Sequence, residues 1–154
     1  MKEKRTEELE HVLSGTHPED FGQYVRDNQG SLLGAGHDFY ALIRQVLAEE
    51  DMTQQALFIK AQIPEKYGYK LLSGEKKTRK RDVLLRIFFA ARMRPEKVQQ
   101  ALKKYGLPVL YARIPRDALL LLLFDNGCAS CEEADAQLIR NGFAPLETVG
   151  KGDS

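Results

Sequence analysis

The sequence predicts an all-α fold, on three observations. Apolar residues recur three and four apart over most of the chain, as one face of a helix requires. No run of alternating apolar and polar residues leads into a hairpin turn. Prolines open several of the periodic segments, and glycines close several of them. With 154 residues, 43% apolar and 29% charged, the chain suffices for one compact domain, alone or with a short appendage. It holds no stretch of the ~18 apolar residues that a membrane helix needs, and its acidic, polar beginning lacks the apolar core of a signal peptide. The expectation is a soluble, cytoplasmic protein.

Residues 1–36 read as an N-terminal helical segment and linker. A charged helix is expected around Thr6 to Leu13, and a second from Pro18, with Phe21, Tyr24 and Val25 on one face. Asn28 to Gly36 contains three glycines and marks a domain boundary. Beyond it, a helix from about Asp38 to Glu50 carries Phe39, Leu42, Ile43, Val46 and Leu47 as one stripe. Thr53 is suited to cap a short second helix, Gln54 to Ala61, with Met52 and Leu57 as a hydrophobic staple. A third helix starts near Pro64 and ends at Ser73-Gly74, where glycine fits the C-terminal cap. After a basic loop, Thr78 is expected to cap a fourth helix, about Arg79 to Ala91, with Val83, Leu84, Ile87 and Phe88 inward. Pro95 opens a fifth, and Gly106 and Pro108 end it.

The rest of the chain repeats what precedes it. Arg81-Asp82-Val83-Leu84-Leu85, followed by Leu102, Gly106 and Leu110, is echoed by Arg116-Asp117-Ala118-Leu119-Leu120, followed by Leu138, Gly142 and Leu146. The pattern predicts two stacked helical hairpins, the second extending the core of the first, with a capping box at Ser130 and Glu133. The run Ala118 to Phe124 is apolar on every side, so that helix is expected to be buried within the chain or across a dimer interface. These boundaries divide the chain into residues 1–36, a domain at 37–110, a hairpin at 111–148 and a tail at 149–154.

The net charge is only +1, but its distribution is uneven. From Glu65 to Arg81 seven basic residues stand against two acidic ones, a local excess of +5 that leaves −4 for the remainder. Such an excess is what a polyanionic partner requires, although a solvated helix face produces one as well. Cys128 and Cys131 form a single CxxC with no second ligand pair at metal-binding spacing. They are expected to be two reduced thiols, with no metal or cofactor. His11, His17 and His37 fall in no nucleophile–base or ligand spacing, and no glycine-rich phosphate loop occurs. An enzyme is therefore not expected.

Thr53-Gln54-Gln55-Ala56-Leu57, then Gln62-Ile63 and Glu65 through Gly74, resembles the helix-turn-helix of the lambda-repressor/Cro (XRE) family of bacterial and phage regulators. With the helices on either side, the resemblance spans roughly 65 residues. It implies a five-helix DNA-binding domain whose helix at about 64–73 enters the major groove, while the N-terminus of the preceding helix faces phosphate. Carried over by position, Glu65, Lys66, Tyr69 and Lys70 face the bases, Gln54 faces the backbone, and Lys76, Lys77 and Arg79 grip phosphates. A packing role for Tyr69 is an equal alternative. The implied partner is double-stranded DNA, read by a homodimer on a two-fold site. The competing expectation is a protein-interaction adaptor that keeps this scaffold and binds its partner through the C-terminal hairpin.

Several positions depart from the family pattern. Phe58 stands where alanine is common, Gln62 where the turn has glycine, and Gly68 where the recognition helix carries a core Ile or Val. A mid-helix glycine costs about 1 kcal/mol relative to alanine, and its missing side chain leaves a hole. Tyr67 or the extra hairpin is expected to fill it. Leu47 and Leu72 replace an Arg–Glu pair common in relatives, an exchange of ionic for apolar contact that is often neutral or stabilising.

Overall fold

The computed structural model describes residues 6–23 and 37–150, and among these every regular element is helical. The chain divides into two compact units, residues 1–38 and 39–154. In the first, α1 (Thr6–Ser14) precedes a single 3-10 turn (Pro18–Asp20) that opens on Pro18. Phe21 is exposed, while Tyr24, Val25 and the glycine-rich segment 28–36 lie outside the described residues.

Seven helices follow: α2 (His37–Glu49), α3 (Gln54–Ala61), α4 (Glu65–Ser73), α5 (Arg81–Ala90), α6 (Pro95–Tyr105), α7 (Pro115–Asp125) and α8 (Cys131–Arg140). Phe39, Leu42, Ile43, Val46 and Leu47 of α2 are all buried in one core with α3 to α8, each such side chain contributing about 1.5–3 kcal/mol. Thr53 caps α3 as its sequence position predicts, its hydroxyl accepting from the Ala56 amide at 3.1 Å. Thr78 does not cap α5. Its hydroxyl accepts from the Lys80 amide at 3.0 Å, and its own amide donates to the Tyr105 hydroxyl at 2.9 Å. Both bonds hold the preceding turn, so α5 starts two residues later than anticipated, at Arg81.

The sequence repeat becomes a pseudo-two-fold arrangement of the hairpins α5–α6 and α7–α8. Each inner helix packs on its own hairpin partner and on the outer helix of the other hairpin. Arg81 pairs with Asp117 at 2.5 Å, and Arg116 pairs with Asp82 at 2.8 Å, so each Arg-Asp dipeptide reaches across to the other. Each arginine also donates to the carbonyls where its own hairpin exits, Arg81 to Pro108 and Val109 and Arg116 to Ala144 and Pro145. Each aspartate accepts one further amide, from Tyr111 or Glu147. At the other end of the inner helices the equivalent rings of Phe89 and Phe124 stack, with centroids 3.8 Å apart and planes 6° apart.

The surroundings of the two inner helices differ. Every residue of α5 from Asp82 to Ala90 is buried, and α3 packs against it. In α7 the buried residues are Asp117, Leu120 and Phe124, whereas Leu119, Leu121 and Leu123 are half-buried and Leu122 is 56% exposed. Of the two expectations for α7, enclosure within the chain is therefore not met, which leaves the dimer-interface alternative open. Nothing in the described residues packs over its outer face as α3 packs over α5.

Candidate nucleic-acid interface

The three residues Gln62 to Pro64 join α3 to α4. Gln62 takes the left-handed conformation, φ 59° and ψ 43°, and its amide closes α3 on the Ile59 and Phe58 carbonyls. Pro64 precedes α4 at the N-cap, and Gly74, at φ 84°, ends the helix. The sequence of α4 separates two faces. Tyr67, Gly68, Leu71 and Leu72 are buried, while Glu65, Lys66, Tyr69 and Ser73 are exposed and Lys70 is half-exposed.

All eight residues assigned to DNA contact from the sequence keep solvent access. Glu65 and Tyr69 meet, the tyrosine hydroxyl donating to the carboxylate at 3.1 Å. The Tyr69 ring, 43% exposed, rests edge-on against Phe58, with centroids 5.1 Å apart. Tyr69 thus packs with one side of its ring and presents the other to solvent. The Lys76 amide donates to the Lys70 carbonyl at 3.1 Å, so the basic loop starts where α4 ends. Lys77 and Arg79 are exposed beyond it, and Lys76 is half-exposed. Arg79 also borders a cleft with Arg81, Asp82, Arg116 and Glu147, next to the crossed ion pairs. Gln54 lies in the first turn of α3, half-exposed, and no hydrogen bond joins it to the other seven.

Phe58 and Gly68 compensate each other. A Cβ built on Gly68 would lie 2.6–2.7 Å from the Phe58 ring, which real Cβ atoms do not tolerate. Phe58 fills the space, itself buried at 1% exposure. The expectation that Tyr67 or the extra hairpin fills it is thereby corrected. A large residue on α3 faces a residue without a side chain on α4, so the two together fill the volume of the contact. Leu47 and Leu72 are both buried in the common core.

Gln62 uses its side chain in the turn. Its side-chain carbonyl accepts from Arg86 Nη1 at 3.0 Å, and its amide nitrogen lies 3.5 Å from a Glu132 carboxylate oxygen of α8. Arg86 is 2% exposed and also donates to the carbonyls of Leu146 and Glu147, each at 2.8 Å. Asp135 stands 3.7 Å from the same guanidinium. Cys128 and Cys131 are buried thiols with no disulfide between them. Burial pushes the Cys131 thiol up to about 11, so it stays protonated at neutral pH.

No family model, curated protein or solved structure matches this chain.

The sequence reading missed Arg86, Phe58 as the partner of Gly68, and the use made of Gln62. A signal for Arg86 was present: it is the single charge inside the apolar run of α5, at the position where the second copy of the repeat has Leu121.

Proposed function

We propose that this chain is a sequence-specific, duplex-DNA-binding regulator, with α2 to α6 forming a lambda-repressor-like domain and α4 as the helix that enters the major groove. One observation carries the reading. α4 is buried along Tyr67, Gly68, Leu71 and Leu72, and presents Glu65, Lys66, Tyr69 and Lys70 outward in continuity with the exposed basic loop Lys76, Lys77 and Arg79. A major-groove helix needs such a division between packing and polar faces, with cations beside it to neutralise phosphates. Lys66 and Lys70 are suited to guanine O6 and N7, Glu65 to cytosine N4, and Tyr69 to a base edge or phosphate. A homodimer on a two-fold site follows from the same reading.

The test is binding to mixed-sequence duplex DNA as salt is varied. Neutralising ~5 phosphates gives a slope of log affinity on log salt of about −4 to −5. Charge reversal of Lys66, Lys70, Lys76 and Lys77 abolishes binding. Absence of binding at low salt, or indifference to those four reversals, overturns the reading. A second reading, a protein-binding adaptor, is favoured by the uncovered outer face of α7 around Leu122. Reversal of the four lysines leaves an adaptor's binding intact, whereas Leu122→Asp disrupts it.

A further inference from the structure

We infer that Arg86 and Gln62 are positioning residues through which the C-terminal hairpin fixes the α3–α4 turn, and with it the outward face of α4. The consequence for DNA rests on the reading proposed above. The turn spans three residues, so the direction of α4 depends on the backbone angles of Gln62. Gln62 holds a left-handed conformation without being glycine, as Asp51 and Arg92 also do. Its side chain, which meets Arg86 and Glu132, is available to hold the backbone there.

That side chain is held by a group that is itself buried and bonded elsewhere. The Arg86 guanidinium is planar, and its other two nitrogens donate to the Leu146 and Glu147 carbonyls, where the second hairpin exits. Asp135, whose Oδ1 accepts the Leu146 amide at 2.8 Å, closes the same group from the α8 side. On the other side of Gln62, Glu132 belongs to the first turn of α8. The turn is located with respect to the hairpin exit and α8, as well as to α3.

Two variants of the full-length protein test this. Gln62→Asn tolerates the left-handed region but is one carbon too short to keep both contacts. Gln62→Gly adopts that region without strain, and decides the matter if the asparagine variant fails to fold. The readout is amide hydrogen exchange at Ile63 and Gly68, which donate to Phe58 and Pro64, relative to the core amides of α5. We expect those two amides to exchange about tenfold faster in both variants, while the α5 amides keep their order of protection. Affinity for mixed-sequence duplex DNA is expected to fall about fivefold or more. Wild-type exchange at Ile63 and Gly68 overturns the inference. Faster exchange with unchanged DNA affinity overturns its functional half. If the wild-type chain binds no duplex, the DNA reading falls, and the exchange rates still decide whether the tether positions α4.

Discussion

In the first hairpin, Gln99 secures the exit strand through Leu110 alone: its carbonyl oxygen accepts the Leu110 amide at 2.9 Å and its NH2 group donates to the Leu110 carbonyl at 2.8 Å. In the second hairpin the equivalent residue is Asp135, which accepts the Leu146 amide but has no donor to return. The Leu146 carbonyl is instead taken by Arg86, which stands where the second copy has Leu121. One neutral amide is thus replaced by a carboxylate and a guanidinium from different helices. The replacement has a reach that glutamine lacks, because the guanidinium has donors left for Glu147 and for Gln62 in the α3–α4 turn. The crossed Arg–Asp pairs are duplicated, and the contacts that hold the two hairpin exits differ.

The largest test of this contrast is Arg86→Leu, which makes the inner helices alike at that position. It leaves the Leu146, Glu147 and Gln62 acceptors without their donor, and is expected to cost about 3–5 kcal/mol, lowering the thermal midpoint by roughly 10 °C. Leu121→Ala, at the half-buried equivalent position, is expected to cost about 1 kcal/mol or less by denaturant titration. Equal losses at the two sites break the contrast.

Arg81→Ala and Arg116→Ala test the part that is duplicated. Each leaves a buried carboxylate, Asp117 or Asp82, held only by a backbone amide. Each is expected to cost about 2–3 kcal/mol, with the two values agreeing within about 1 kcal/mol. A larger disagreement means that the crossed pairs match in geometry but not in energy. The smallest effect is expected at Leu122→Ser, within about 0.5 kcal/mol in urea, because that side chain is largely in water already. The equivalent Ile87 is fully buried under the remainder of the unit. A large loss at Leu122 in the isolated chain points to self-association covering α7.

Much of this was legible locally. The stripe of α2, the Thr53 cap and the glycine ends of α4 and α6 follow from helical period and cap chemistry, which involve neighbours a few residues apart, whereas the outward residues of α4 were implied by the resemblance. The forward half of the Ser130 capping box is present as well, the Glu133 amide donating to its hydroxyl at 3.2 Å. The start of α5 was not legible, because Thr78 is engaged by Tyr105 from 27 residues away. Nor was the occupant of the Gly68 hole, since any large neighbour satisfies a missing side chain and sequence spacing does not rank the candidates. The repeat showed that two hairpins exist and resemble each other. It did not show that each Arg-Asp pair bonds to the other copy rather than to its own.

By itself the sequence determined the helices, the inward faces of most of them and the duplicated hairpin. These depend on the periodicity of apolar side chains and on hydrogen bonds closed within one turn. Only the tertiary structure decided that Phe58 replaces the missing side chain at Gly68, that α7 is open where α5 is enclosed, and that Arg86 joins the turn before α4 to the second hairpin. Each of those depends on groups far apart in the chain competing for one volume or one set of donors. The outcome of that competition is set by distances that exist only once the chain has folded.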